Sequence, residues 1–512
     1  MHLLRTKSVE QSIQDTEAPE HRLRRDLSAL DLTVFGVGVI IGTGIFVLTG
    51  QVAKDKAGPA VAISFVLAAV VCGLAALCYA EFSSTVPVAG SAYTFSYATL
   101  GEFPAWIIGW DLILELALGA AVVAVGWSGY AASLLDTLGM PLPAAISHPP
   151  GEHGGVVNVP AILLVFGVTI LLVTGVKVSS RVNAVVVGIK LAVVLLIIVA
   201  GLFFIKGANY TPFIPPSKPT GSVEGAGAPL IQVLFGLSPV SYGWFGIFAA
   251  VAIVFFAYVG FDVVATAAEE ARNPQRDVPI GLIGSLFVTA ILYAAVSLVV
   301  VGMQNYTRLS DAAPLADAFR AVGHPAFATI ISVGAVAGLT TVVLILLLGQ
   351  SRVFFAMSRD GLLPPSLSSV HPRFGTPYRS TILMGAIVAV LSGFIPLAKL
   401  AELVNIGTLF AFCLVAGGVV VLRRTRPDLH RAFRAPFVPV VPALAILGCL
   451  FVMLNLPVET WLRFIGWMAL GTVLYLFYGY RHSRVGASAT PTAPTAPPAE
   501  PLGGASPIDP AG

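Results

Sequence analysis

The sequence predicts an all-α integral membrane protein of twelve spanning helices, and three observations carry that expectation. Hydrophobic residues make up 56% of the 512 and charged residues only 11%, against roughly 25% charged in a typical soluble chain; the mean hydropathy is +0.88. The apolar residues gather into twelve runs, each near the roughly 20 residues that cross a bilayer core. Two of these runs, the first and the sixth, are interrupted by glycines or a carboxylate at comparable depth. The composition excludes a soluble enzyme, a disordered chain and a nucleic-acid binder, because a soluble fold of this size could not cover its surface with so few polar groups.

The runs fall at 33–53, 61–84, 101–134, 159–176, 183–205, 245–268, 279–302, 326–350, 379–395, 401–422, 436–454 and 461–480. Residues 1–30 are polar, carry Arg22, Arg24 and Arg25, and lack the short apolar core and small-residue cleavage site of a signal peptide. They are expected to stay in the cytoplasm. Twelve spans put both termini on one side, and the cationic residues test that topology: 20 of the 29 Lys and Arg fall in segments placed inside, eight in segments placed outside, and Lys190 lies within the fifth run. This inward bias supports cytoplasmic termini and a multi-pass protein of the cell's inner membrane. The twelve-helix body spans 31–482, with an outside Gly- and Pro-rich insertion at 207–243 and a disordered cytoplasmic tail at 483–512. Within the insertion, 230–237 is expected to form at most a short surface helix. Cys72, Cys78, Cys413 and Cys449 all lie in apolar runs and read as small buried hydrophobes, with no disulfide framework, metal spacing or cofactor motif.

The first run contains Gly36, Gly38, Gly42 and Gly44. A glycine inside a helix costs about 1 kcal/mol relative to alanine. The sixth contains Gly260 and Asp262 after Phe255-Phe256-Ala257-Tyr258-Val259. Either run alone reads equally well as close helix packing through small residues. Together, at corresponding places in two halves, they point to inverted repeats of five helices, about 31–206 and 244–423, followed by two further helices at 436–480. A break in mid-membrane exposes N–H groups on one side and C=O groups on the other, which is tolerable only beside a cavity or a ligand. The half-helix starting near Thr43 and Gly44 offers its N–H ends to an anion. The carbonyl of Ile40, with those of Phe256, Ala257 and Val259, offers acceptors to a cation. An α-amino acid is the simplest molecule that fits both ends.

With these residues in view the chain resembles the amino acid–polyamine–organocation superfamily, and within it the shorter, bacterial form of the cationic amino acid transporter family. The resemblance covers about 27–480 and rests on five stretches in order. They are Gly42-Thr43-Gly44-Ile45-Phe46, Pro87-Val88-Ala89-Gly90-Ser91-Ala92-Tyr93, Phe256-Ala257-Tyr258-Val259-Gly260-Phe261-Asp262, Glu269-Glu270-Ala271-Arg272-Asn273-Pro274 and Ala356-Met357-Ser358-Arg359-Asp360-Gly361-Leu362-Leu363-Pro364. It implies the LeuT-like five-plus-five fold and alternating-access uptake of an α-amino acid, cationic or small neutral, coupled to protons. It also implies that Thr43 and Gly44, with Gly42 beside them, hold the substrate carboxylate, and that the carbonyls named above hold its ammonium.

Lys190, between Ile189 and Leu191, lies seven residues past Asn183, roughly 10 Å along the helix. From the residues alone it is either a lysine snorkelling to the interface or a buried amine able to carry a proton. The resemblance implies the second role. Asp111 and Glu115 share one face of helix 3. Asp111 reads as interfacial or structural, while Glu115 is either an attractor for a cationic side chain or a partner of another group. Asp262 either caps the unwound segment or takes part in gating, and Glu81 reads as structural. Phe46, Tyr258 and Phe261 are candidate aromatic gates, Tyr258 the foremost because it adjoins the break, and Leu339 is a candidate for the side-chain pocket.

Three other classes compete. The eight histidines fall in loops, tails or helix ends, and no cluster has metal-ligand spacing, which argues against a membrane metalloenzyme. A channel built from rings of several subunits does not match broken helices in two halves of one chain, which is expected to work as a monomer among lipids. An exchanger, or an amino acid sensor without flux, would use the same site.

Overall fold

The structure, a computed structural model, describes residues 26–85, 91–175, 180–220 and 225–483. The expectations on residues 1–25, on Pro87 to Gly90 and on 484–512 lie outside the described residues. Twelve apolar helices occur in chain order: α1 (Ala29–Ile40), α2 (Val61–Thr85), α3 (Glu102–Thr137), α4 (Val159–Val173), α5 (Ser180–Leu202), α6 (Gly243–Val254), α7 (Pro274–Met303), α8 (Pro325–Arg359), α9 (Tyr378–Phe394), α10 (Leu397–Thr425), α11 (Val440–Leu454) and α12 (Val458–Leu474). Among the described residues eight helical stretches are long and apolar enough to cross a membrane, while α1, α4, α9 and α11 are shorter apolar helices.

The first run is divided as its glycines suggest. Ser28 opens α1 through a capping box, its Oγ accepting from the Asp31 N–H while its own N–H donates to Asp31 Oδ2 at 2.9 Å. The helix stops at Ile40, Ile41 turns to an extended conformation, and helix resumes at Gly44–Leu48 and runs on to Ala57. The chain then reverses at Gly58, whose φ of +63 a side chain would strain. In the sixth run α6 tightens into a 3₁₀ turn at Phe255–Tyr258, breaks around Gly260 at φ +108, and resumes as the short helix Val263–Thr266.

The helices sort by what their faces can meet. Outward residues recur at helical spacing, for example Leu163, Phe166 and Ile170 on α4 or Phe287 and Ile291 on α7, all exposed, as a lipid-facing stripe requires. Inward, α3 packs along α8 and α10, and α7 packs against α1 and α2. The 207–243 segment is more than a bare surface loop. Lys218–Pro219 pairs antiparallel with Val240–Ser241. The short helix Leu230–Leu234 is stapled to the α11–α12 turn by Leu230 N–H to the Leu456 carbonyl at 2.9 Å and Val458 N–H to the Ala228 carbonyl at 3.0 Å.

Glu81, at the end of α2, is buried and receives Arg423 Nε at 2.8 Å, Arg423 Nη2 at 2.6 Å and the Ala435 N–H at 2.8 Å, with Arg431 Nε 3.5 Å away. It ties α2 to α10 and to the following loop, the structural role its position suggests. Removing one member of a buried ion pair strands the others and costs about 3–5 kcal/mol. Glu81→Ala should therefore lower the detergent-solubilised melting temperature by several degrees, measured by following unfolding with a thiol- or tryptophan-sensitive signal.

Candidate functional site

The two breaks face one narrow cavity. Gly42, Thr43 and Gly44 line it from the first break, with Val39 and Ile40 below. Phe256, Val259, Gly260 and Val263 line it from the second, Glu115, Leu116, Gly119 and Val123 from α3, and Val342 and Leu346 from α8. Of the four glycines Gly36, Gly38, Gly42 and Gly44 around the first break, three make close approaches. A Cβ on Gly36 would meet Ser285, one on Gly38 would meet Val187, and one on Gly44 would overlap the Ala257 backbone. Gly42 alone is open, its nearest neighbours at 3.8 and 3.9 Å. Close packing thus applies to three of them, and Gly42 is the one of the four with space beside it.

The chemistry of the break is visible in its hydrogen bonds. The helix resuming at Gly44 has no preceding turn to satisfy its first N–H groups. The Thr43 hydroxyl is fully buried and has no hydrogen-bond partner among the described residues; its side chain lies against Gly126 of α3. On the other side of the break the α1 carbonyls are taken by side chains. Tyr293 of α7 donates its hydroxyl to the Ile40 carbonyl at 2.7 Å, and Lys190 Nζ donates to the Gly38 carbonyl at 2.6 Å. Lys190 is fully buried, its stem packed in a space that only a glycine at 338 leaves open. The amine points into the bundle, so the snorkelling alternative does not describe it.

Several candidates occupy other positions than the sequence reading gave them. Leu339 is buried and shares the helix face of Leu346 two turns away, but α8 meets the cavity through Val342 and Leu346 instead. Tyr258 does not line the cavity; its hydroxyl donates to the Phe65 carbonyl at 2.9 Å, and its ring packs with Phe65 and Tyr293. Ala257 lies behind Gly44 rather than on the cavity wall. Phe261 packs edge-on to Tyr79 and against Phe412. Phe46 is buried two residues beyond Gly44, edge-on to Tyr130, whose hydroxyl donates to the Phe46 carbonyl at 2.7 Å.

Of the carboxylates, Glu115 reaches the cavity and Asp111 does not. Asp111 is fully buried rather than interfacial, lies against Gly407 of α10, and neither of its oxygens has a partner among the described residues. Asp262 is buried at the start of Val263–Thr266, with Oδ1 unpartnered. Residues the sequence reading missed are Tyr293, Val39, Leu116, Gly119, Val123, Val263, Val342 and Leu346. Only Tyr293 carries a signal of its own, a polar hydroxyl in the seventh apolar run; the others are aliphatic residues or glycine like their neighbours.

Beyond Phe46 the molecule opens into a wide vestibule lined by Val47, Gln51, Asp55, Gly126, Asp311 and Arg320, among others. Lys54 Nζ bonds Asp311 Oδ2 at 2.9 Å, and Gln51 donates to the Asp311 carbonyl at 2.8 Å. Here burial and then the neighbouring His153 hold the His148 imidazole below its usual range, and burial raises Glu152. At the opposite end, Leu27 N–H donates to the Glu270 carbonyl at 3.0 Å and Arg272 N–H to the Leu27 carbonyl at 2.8 Å, clasping the start of α1 to the segment after the second break.

Apolar helices surrounding a cavity where two of them break define a membrane transporter rather than an enzyme. The chain belongs to the amino acid permease family, whose sequence model matches residues 27–479. It is 48% identical over 487 residues to the branched-chain amino acid permease BcaP of Bacillus subtilis (strain 168), covering 94% of this chain and 99% of that one. It is 46% identical over 482 residues to the methylthioribose transporter of the same organism, covering 94% and 98%. To the vacuolar cationic amino acid transporter 4 of Arabidopsis thaliana it is 41% identical over 427 residues, covering 83% and 68%.

Proposed function

We propose that the chain is a proton-coupled secondary carrier that brings a neutral aliphatic α-amino acid into the cell by alternating access. The observation that carries this reading is the first break itself. The Thr43 hydroxyl, without a partner among the described residues, and the helix start at Gly44 meet a cavity lined, Glu115 and Phe256 aside, by aliphatic residues and glycine. The substrate carboxylate sits at Thr43 and Gly44. Its ammonium takes the free lone pair of the Ile40 carbonyl and the carbonyls of Phe256 and Val259, with Ala257 behind them. The side chain lies among Val39, Leu116, Val123, Val263, Val342 and Leu346. Glu115 is the single carboxylate on this wall, too little to make a cationic side chain the better fit. The branched-chain permease among the relatives supports the aliphatic choice.

In this reading α1–α5 and α6–α10 are inverted repeats, α11 and α12 are additions, and both termini lie in the cytoplasm of a cell whose inner membrane holds the protein as a monomer. Lys190 carries the coupling proton, and Phe46 with Tyr130 closes the outer side. Competition of uptake by the twenty amino acids, with and without an uncoupler, tests it. Leucine, isoleucine and valine should compete best, lysine and arginine at least about tenfold less well, since a buried ammonium without a dedicated partner is costly. Uptake should fall when the uncoupler is present. Arginine or lysine as the strongest competitor would overturn the side-chain assignment, and uncoupler-insensitive accumulation the coupling.

A further inference from the structure

Both α1 and α6 stop being α-helical in the middle of the bundle; the Val37 carbonyl still accepts from the Ile41 N–H and those of Val251 and Ile253 from the Phe255 N–H, while other carbonyls of the last turn meet side chains. Gly38, two residues before the end of α1, accepts Lys190 Nζ at 2.6 Å. Ala252, two residues before the end of α6, accepts Asn405 Nδ2 at 2.7 Å, with the Ile253 carbonyl at 3.3 Å. Lys190 lies on the fourth helix after α1 and Asn405 on the fourth helix after α6, and both are fully buried. In each half the corresponding helix donates to a carbonyl two residues before the α-helical part of the broken one ends, although on α6 the 3₁₀ turn Phe255–Tyr258 lies between that end and the break at Gly260. The Asn405 Oδ1 has no partner among the described residues, so this buried amide is engaged through its donor end alone.

We propose that Asn405 is the counterpart of Lys190 in the second repeat, a positioning residue that clasps the end of α6 ahead of its break. The inference rests on the repeat and carrier readings above. The difference between the two clasps is chemical. An amine gives up a proton and with it a charge, whereas an amide keeps both N–H donors throughout the physiological range. Protonation therefore acts on the α1 half, and the α6 half is held by a clasp that does not titrate. Ionisable groups around this part of α10 are Asp111 and Glu115 of α3, Asp262 after the second break, Cys72, Cys78 and Tyr79 of α2, Cys449 of α11, and Cys413 and Glu402 of α10, to the last of which Thr460 donates at 3.1 Å; α6 has none.

Asn405→Asp converts the clasp into a titrating one, because only the protonated acid donates to the Ala252 carbonyl. The test is leucine counterflow in proteoliposomes of the full chain between about pH 5 and pH 8, each variant normalised to wild type at the same pH. The Asn405→Asp ratio should lie near wild type at the acid end and fall roughly tenfold toward the alkaline end. Asn405→Leu, with no donor, should be low and flat. A flat Asn405→Asp profile at any level, or wild-type counterflow in Asn405→Leu, overturns the assignment. If the aspartate variant does not elute as a folded monomer, Asn405→Ser, which keeps a donor, must exceed Asn405→Leu, and equal rates overturn it. Should wild type not carry leucine, the strongest competitor of the amino acid panel replaces it; that failure touches the substrate reading alone.

Discussion

Lys190→Ala should abolish accumulation driven by a pH gradient while leaving counterflow. In proteoliposomes an imposed difference of one pH unit supplies about 1.4 kcal/mol, enough for roughly tenfold accumulation by wild type if one proton moves with each substrate. The variant should equilibrate at a ratio of about 1. The argument is geometric: the amine is fully buried, its only hydrogen-bond acceptor among the described residues is the Gly38 carbonyl, and its stem fills space beside Gly338. Deprotonation leaves the amine two N–H donors but removes its charge, so protonation changes how strongly it holds the carbonyl of the half-helix that ends at the break. Gradient-driven accumulation persisting in Lys190→Ala would remove the coupling role, and loss of counterflow as well would reduce the residue to a structural one.

Gly44→Ala should reduce uptake by about 10- to 100-fold, whereas Gly42→Ala should keep turnover and only raise KM. A methyl at Gly44 overlaps the backbone of Ala257, which a rotamer change cannot relieve. Overpacking of this kind costs about 1–3 kcal/mol, and it pushes apart the two broken segments that form the cavity. The methyl of Gly42→Ala meets nothing nearer than 3.8 Å and only narrows the space for substrate. Initial rates of uptake for the two variants separate these outcomes; equal losses would mean that the close approach at Gly44 does not matter for transport.

The mutant pair also shows where sequence reading reached its limit. Four glycines in the first run, with a glycine and a carboxylate in the sixth, were enough to place both breaks, and Thr43 and Gly44 follow because a helix restarting there must present unpaired N–H groups. Which glycine opens onto the cavity and which ones press on a neighbour was not legible. Leu339 failed for the same reason. It lies on the same helix face as Leu346, and only the packing of α3 against α8 decides how far along that face the cavity extends. Tyr258 adjoins the break in sequence, yet the chain turns its ring toward α2.

The chain's own residues determined a membrane protein with two broken helices and cationic residues gathered in alternate connecting segments. Hydropathy, charge count and the dipole of a helix end are properties of a short stretch and survive without knowledge of its neighbours. Tertiary structure decided the partners. It set Lys190 against Gly38, Tyr293 against Ile40 and Asn405 against Ala252, pairs separated by 152, 253 and 153 positions. A carbonyl freed by a break accepts whichever donor the packing of distant helices brings within about 3 Å, and no stretch of sequence contains that distance.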